Sequence, residues 1–268
     1  MNDITLVPGL DATDPAAWSP LNPPLPARFR QAQRISMLLE LTEGRVAALV
    51  PPPLTSMGDF AWITWLNARD VDGFLCTNFS INLPVTWREH TGKHCALEYI
   101  NFGHGMSTGR EMLAYPKKGA EFSWTEAAEG IAVECTRAGA PIARVTALFD
   151  DDPAADLDWA SAHGAPDIGV DTLQVRNLAS DYMSDPEVAQ VEKVTITNAT
   201  SWEPRPARGS LEFINQKLDD FDPLGPFTVL ATRVDRQEFD LGHNTILGRH
   251  HLGSRTRMNG RESERTDA

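Results

Sequence analysis

Short apolar runs separated by polar turns recur along most of the chain. Strands are predicted near 35–41, 59–68, 72–87, 94–102, 110–117, 131–136, 142–149, 170–177, 188–199, 209–214 and 226–241. One short helix is predicted from Thr42 to Val50, with Thr42 as its N-cap and Pro51 as its stop. Many short strands and few short helices indicate a mainly β (α+β) fold with an antiparallel sheet system, either a barrel or a sandwich.

The two ends of the chain differ in composition from the middle. Residues 1–27 are rich in proline and are predicted to form an extended arm. Residues 28–253 are predicted to form a single domain, and the polar, charged segment 254–268 a disordered tail. Because the arm has no core of its own, we expect it to pack on a neighbouring subunit, which predicts a homo-oligomer.

Charge and cysteine content exclude several classes of protein. The net charge of −13 argues against nucleic acid as a partner, because no basic stripe is present to neutralise phosphates. The three widely spaced cysteines suit a reducing compartment and show no metal-binding pattern. No secretion signal is visible, and no apolar run approaches the ~20 residues needed to span a bilayer. A cytoplasmic protein without a membrane partner is therefore predicted.

The segment 109–118, Gly-Arg-Glu-Met-Leu-Ala-Tyr-Pro-Lys-Lys, carries the clearest chemical signal. A lysine among buried neighbours is costly while charged, and a neutral amine attacks ketones. Successive side chains of an extended chain face opposite ways, so Lys117 and Lys118 cannot enter the same pocket. If the whole segment is a regular strand, Glu111 and Tyr115 lie on the side of Lys117. We expect Lys117 to be buried, with no carboxylate in salt-bridge contact.

This segment resembles the Gly-Arg-Glu-…-Tyr/Phe-Pro-Lys-Lys signature of the acetoacetate decarboxylase superfamily. Residues 50–54, Val-Pro-Pro-Pro-Leu, and 83–87, Leu-Pro-Val-Thr-Trp, resemble two further family segments. The resemblance implies an antiparallel, cone-shaped β-barrel and a Schiff base between a keto acid and Lys117, with Lys118 as a catalytic neighbour. Acetoacetate decarboxylase is the usual example of a lysine activated by burial or by a cationic neighbour. No metal or organic cofactor is implied.

Matching to the family also places the substrate-binding residues. The arginine that binds the substrate carboxylate in the family falls near Gln33 or Arg34, and we expect Arg34 to have this role. The two family carboxylates fall at Thr64 and Asn78, neither of which is acidic. Asn78 and Tyr115 are therefore expected to orient the imine, and Glu111 to contact the amine. Without those acids, acetoacetate is expected to be a poor substrate.

The resulting hypothesis is a cofactor-independent carbon–carbon lyase that acts on a small-molecule keto acid through Lys117. Three alternatives stand beside it. An imine-forming aldolase–dehydratase would use the same lysine on a larger keto acid. A serine hydrolase would use Ser107 in the motif Gly-x-Ser-x-Gly at 105–109. A non-catalytic ligand-binding barrel would leave Lys117 exposed or would pair it with a carboxylate.

Overall fold

A computed structural model describes residues 25–71, 74–101, 103–150, 161–166, 171–178 and 188–252. Most of the proposed arm, the tail and part of the loop after the 142–149 strand lie outside these described residues. The strands are β1 Ala27–Leu41, β2 Thr55–Ser56, β3 Phe60–Val71, β4 Phe74–Trp87, β5 His90–Ile100, β6 Lys117–Gly119, β7 Glu121–Ala127, β8 Gly130–Arg137, β9 Ala140–Phe149, β10 Thr172–Leu178, β11 Val188–Phe213 and β12 Phe227–His251. The helices are α1 Arg45–Leu49 and α2 Gly103–Ser107, followed by a π-helical turn at Thr108–Met112 and 3₁₀ turns at Ser161–His163 and Asp222–Leu224.

Strand pairing forms a closed ring. The order β10–β5–β4–β3–β1–β12–β11 returns to β10, because β10 also pairs with β11. The pairs along this ring are antiparallel except β10 with β5, which are parallel and meet at Thr172 and Lys93. The mainly β prediction is confirmed, and the ring agrees with a barrel-like arrangement. The cone shape stays a prediction.

The strands β9, β8 and β7 continue from β11 beyond the ring and cover part of its outside. Apolar residues of β8 and β9, such as Ile131 and Val145, share one buried cluster with Trp65 of β3 and with Phe79 and Tyr99 of β4 and β5. The rings of Trp65, Phe79 and Tyr99 stack in sequence, with centroids 4.6 and 5.1 Å apart. This apolar layer lies between the ring and the β7–β9 extension, so the main core is outside the ring.

Local signals in the sequence account for the turns and the short helix. The 137–140 hairpin forms as expected between β8 and β9, and Ala138 and Gly139 both have positive φ, which a tight hairpin turn requires. Helix α1 starts later than predicted. Gly44 is its N-cap, and the carboxylate of Asp59 accepts hydrogen bonds from the N–H groups of Gly44 and Val46.

The predicted strand at 110–117 is wrong over most of its length. Residues 103–112 are helical, and extended pairing begins only at Lys117. The strands predicted at 188–199 and 209–214 are instead parts of the single strand β11, which bulges where its register with β12 shifts. Within the described residues, no helix is long and apolar enough to cross a membrane.

Gly92 is predicted to be necessary for closing the ring. A Cβ at this position would lie 2.7 Å from the carbonyl oxygen of Asp171, where β5 meets β10. Gly92→Ala should therefore lower the free energy of unfolding by about 1–3 kcal/mol, the usual cost of overpacking. Denaturant unfolding measures this effect. Gly103→Ala is the matched control, because nothing lies within 4 Å of its added Cβ. Equal stability of the two variants would contradict the prediction.

Candidate active site

A cavity of about 220 Å³ lies inside the ring of strands. Every strand of the ring contributes at least one residue to its wall, and Tyr115 and Lys117 complete the wall from the segment that precedes and begins β6. Much of the wall is polar, including Thr64, Asn78 and Ser80. The ring therefore encloses a chamber whose wall has polar side chains beside apolar ones such as Leu66 and Phe239, while further apolar side chains pack on the outside.

Lys117 is held in this cavity by its pairing with β5. Strand β6 runs parallel to β5 with Lys117 opposite Glu98, and the Glu98 N–H donates to the carbonyl of Pro116 at 3.3 Å. The Lys117 Nζ lies 3.2 Å from Glu98 Oε1, and both side chains are only 7% exposed. Burial of Lys117 agrees with the sequence-based prediction. The prediction that no carboxylate contacts it is wrong.

The carboxyl group of Glu98 is the unexpected chemical partner. Burial raises its pKa above the ordinary value, and the charge and hydrogen bond of Lys117 only partly oppose this effect. A carboxyl group with a raised pKa holds its proton to higher pH than an ordinary carboxyl group and is a stronger base once ionised. The pair therefore places a carboxyl group of raised pKa beside a lysine amine.

Gly109 makes room for the lysine side chain. A Cβ on this residue would lie 2.3 Å from Lys117 Cε and 2.9 Å from its Nζ. The carbonyl of Gly109 also accepts hydrogen bonds from the N–H groups of Leu113 and Tyr115, at 3.3 and 2.9 Å. These bonds fold the segment before β6 into a compact turn, and Lys117 lies across the bare backbone of Gly109.

Lys118 faces away from the cavity. Its Nζ donates to Asp219 at 3.0 Å and to the carbonyl of Leu218 at 2.9 Å. The same buried carboxylate accepts hydrogen bonds from Tyr99 and Arg137, at 2.8 and 2.7 Å. Burial acts to raise the pKa of Asp219, but these donors outweigh it and hold the pKa below its ordinary value. The expected opposite orientation of the two lysines is found, and the structure does not bring Lys118 to the cavity.

The structure gathers three more of the sequence-predicted residues around Lys117. Arg34, Asn78 and Tyr115 all line the cavity. The Tyr115 ring centroid lies 5.5 Å from the Lys117 Nζ. Glu111 is not brought to this site, because it lies exposed in the π-helical turn and not on a strand in phase with Lys117.

The choice of Arg34 over Gln33 agrees with their positions. Gln33 bonds to Glu126 and Trp124 of β7, on the other side of β1. The guanidinium of Arg34 already has a partner, since it binds both carboxylate oxygens of the buried Asp235. Arg34 is therefore a fixed cation at the cavity wall.

The Gly-x-Ser-x-Gly motif does not form a nucleophile elbow. That elbow places its serine at a sharp turn between a strand and a helix. Ser107 instead is the last residue of α2, and its hydroxyl donates to the carbonyl of His104 at 3.1 Å. The second glycine of the motif, Gly109, is the one that accommodates Lys117.

Two charged residues of the cavity, Glu98 and Lys93, were missed by the sequence analysis. Ala96 is an extra residue on β5, because Ile81 pairs with Leu97 and Asn82 with Cys95. This bulge brings Lys93 to the same side of the strand as Glu98, whereas strict alternation would separate them. The one feature of the sequence that could have pointed to Glu98 is its position as an acid within the apolar run 95–100.

Neither a cysteine nucleophile nor a metal site is indicated by the described residues. Burial raises the pKa of Cys76 to about 12, and it also raises the pKa of Cys95 well above its ordinary value. These cysteines are thus poor nucleophiles at neutral pH. Among the residues that the structure describes, no cluster of three or more His, Cys, Asp or Glu side chains could hold a metal ion.

Comparison with known proteins identifies the family. Residues 12–250 match the family model described as acetoacetate decarboxylase (ADC). The chain belongs to the ADC family. No curated protein sequence matches it.

Solved structures share the ADC fold at low sequence identity. Acetoacetate decarboxylase from Legionella pneumophila is 18% identical with a TM-score of 0.76, over 90% of this chain and 94% of that one. An acetoacetate decarboxylase-like enzyme from Sphingomonas wittichii RW1 is 15% identical with a TM-score of 0.70, over 88% and 97%. The enduracididine biosynthesis enzyme MppR, solved with a condensation product of pyruvate and imidazole 4-carboxaldehyde, is 16% identical with a TM-score of 0.67, over 92% and 99%.

Gly109→Ala should displace the Lys117 amine while leaving the fold intact. The added methyl group would meet the end of a flexible side chain, which can move, and not the backbone. We expect the rate of Lys117 modification by an amine-reactive reagent to change by about tenfold or more, which corresponds to ~1.4 kcal/mol. Peptide mass spectrometry measures this rate, with Gly103→Ala as the control. An unchanged rate in Gly109→Ala would refute the packing role.

Proposed function

We propose that the protein is a cofactor-independent carbon–carbon lyase that forms a Schiff base between Lys117 and a keto acid. The observation that carries the proposal is the buried Lys117–Glu98 pair, with Nζ and Oε1 3.2 Å apart, in a cavity enclosed by the ring of strands. Membership of the ADC family and the matching signature at 109–118 support it.

The pair can perform each proton transfer of imine formation. The Lys117 ammonium first passes a proton to the Glu98 carboxylate. The neutral amine then attacks the keto carbon, and transfer of a proton from the nitrogen to the new alkoxide oxygen gives a carbinolamine. Glu98 in its acid form then protonates the hydroxyl group, which leaves as water as the iminium forms. When the substrate is a β-keto acid, the bond between its α-carbon and its carboxylate then breaks. Carbon dioxide leaves, and the electrons of that bond move into the iminium to give an enamine. Glu98, left as a carboxylate when water departs, takes up a proton from solvent and protonates the enamine carbon. Hydrolysis of the resulting iminium then releases the product ketone and restores the lysine.

The remaining cavity residues suit supporting roles in this scheme. Arg34 supplies fixed positive charge for the substrate carboxylate, and Asn78 and Tyr115 can donate hydrogen bonds to oxygens of the bound keto acid. Lys118 would act only through its electric field, since its ammonium binds Asp219 on the other side of β6.

An aldolase–dehydratase is the second candidate function. MppR, which shares the fold, was solved with pyruvate and with a condensation product of pyruvate. The same enamine can add to an aldehyde instead of taking a proton, so both reactions use Lys117 in the same way. Thr64 and Asn78 stand where ADC carboxylates are expected, which favours a substrate other than acetoacetate. Acetoacetate was expected to be a poor substrate because Thr64 and Asn78 are not acidic. Glu98 weakens that argument, because it places an acid in the cavity.

A non-catalytic binding barrel would also pair the lysine with a carboxylate, so the pairing alone does not decide the matter. Membership of the ADC family and the signature at 109–118 favour the enzyme. Trapping of the imine separates the two possibilities directly.

Borohydride reduction in the presence of a keto acid should attach the substrate irreversibly to Lys117. A panel of acetoacetate, pyruvate and larger keto acids, analysed by peptide mass spectrometry, identifies both the residue and the preferred substrate. Lys117→Ala should abolish trapping and turnover, whereas Lys118→Ala should retain trapping. Absence of labelling in the folded wild-type protein with every member of the panel would overturn the proposed function.

Glu98→Gln should slow turnover by about 10²–10⁴, the usual contribution of general acid–base catalysis. The carboxyl group must lose its proton in each cycle, so the wild-type rate should fall as pH drops through the raised pKa of Glu98, above 4.5. That acidic limb should be absent from Glu98→Gln. Glu111→Gln is the matched control, and its rate and pH profile should stay at the wild-type level. An acidic limb that persists in Glu98→Gln would assign the proton transfer to another group.

A further inference from the structure

Lys93 is a second lysine in the wall of the same cavity, and the imine mechanism does not use it. Its position is fixed at the seam of the ring, where its N–H donates to the carbonyl of Asp171 at 3.1 Å and its Cα pairs with Thr172 of β10. The bulge at Ala96 turns the side chain into the cavity together with Glu98. Lys93 is therefore held in place by the same backbone features that form the cavity.

The ammonium group of Lys93 has no carboxylate at salt-bridge distance among the described residues. The nearby Asp171 carboxylate binds Lys193 instead, at 3.2 Å. Glu98 pairs with Lys117, and Asp235 pairs with Arg34. Each of the acids near the cavity thus has another cation as its partner, and Lys93 retains positive charge directed into the cavity.

The surroundings of Lys93 make a bound anion favourable. Burial and the guanidinium of Arg34 lower its pKa to about 8, so it is still mostly protonated at neutral pH, but at an electrostatic cost. An anion in the cavity would offset both effects. Because Asp235 balances the charge of Arg34, Lys93 is the cation on this side of the cavity that has no carboxylate partner among the described residues.

The distance between Lys93 and the Lys117 amine sets the length of a substrate that could contact both. It precedes Glu98, the partner of Lys117, by five positions on β5, which is at most roughly 16 Å along a strand. Both lysines line the same cavity. A substrate that reaches from one to the other must carry its anionic group several carbon atoms from the keto carbon.

We propose that Lys93 binds a second carboxylate of the substrate, so that the protein acts on a keto diacid and not on a monocarboxylic keto acid. This substrate class rests on the imine function proposed for Lys117. The anion-binding site itself does not, because binding a carboxylate to Lys93 requires no carbonyl group.

Calorimetric titration with glutarate and adipate tests the anion site without imine chemistry, since neither dicarboxylate has a keto group. At pH 7 we expect Lys93→Met to weaken binding by at least about tenfold, as for loss of a charge-assisted hydrogen bond. Lys93→Arg should bind within about threefold of the wild type, because it keeps the charge. Lys217→Met, which removes an exposed lysine outside the cavity, controls for net charge and should not change the affinity. Equal affinity of Lys93→Met and wild type for both dicarboxylates would overturn the proposal.

The pH dependence provides an independent check. The charged or titratable groups near Lys93 are Arg34 on β1, Asp171 before β10, and Cys95 on its own strand, and the Pro84 that pairs with it on β4 carries no charge. Affinity for glutarate should fall as pH rises through about 8, where Lys93 loses its proton. A flat profile from pH 6 to 10 would contradict the assignment.

Borohydride trapping separates this inference from the proposed function. If the imine forms, a five- or six-carbon keto diacid should label Lys117 at lower concentration than a keto monoacid of equal length, and Lys93→Met should remove that difference. If no imine forms but glutarate binding depends on Lys93, the anion site stands and the lyase proposal fails. Labelling of Lys93 itself would show that it is a nucleophile, and would overturn the anion-binding role.

Discussion

The geometry of the cavity depends on the contact between Lys117 and Glu98, which joins β6 to β5 inside the ring. Two opposite charges, or the neutral forms of both groups, are stable inside a protein only when each has a partner, because isolated buried charges are very costly. Parallel pairing of β6 with β5 supplies that partner, and the bare backbone of Gly109 supplies the space. The compact turn before β6 places Lys117 directly opposite Glu98 in the pairing of β6 with β5.

A chamber with charged and polar groups in its wall requires an apolar core elsewhere in the domain. The structure places that core between the ring and the β7–β9 extension, where Trp65, Phe79 and Tyr99 stack. Tyr99 lies next to Glu98 on β5 and donates to Asp219, which also binds Lys118. Packing on the outside therefore holds the strand that presents Glu98 on the inside, so the stability of the core and the geometry of the site are linked.

The sequence predicts much of this arrangement, and its failures have physical causes. The mainly β class follows from alternation, and the burial of Lys117 follows from its apolar neighbours and from the family signature. Glu111 was misplaced because residues 103–112 fold as a helix, which breaks the period-two relation to Lys117. Glu98 and Lys93 were missed because one extra residue, Ala96, changes which side chains of β5 share a face. The residues around Ala96 do not reveal this bulge, because it arises from the pairing of β5 with β4.

Alternation along the ring strands assigns two separate tasks to neighbouring residues. In β4, Asn78, Ser80 and Asn82 line the chamber, while Phe79, Ile81 and Leu83 pack in the outer core. Changing one of the first set alters what the chamber recognises and leaves the packed layer untouched. The chamber wall can therefore change at one set of positions while the other set preserves the scaffold. The same backbone is found in solved structures that are only 15% and 18% identical to this chain.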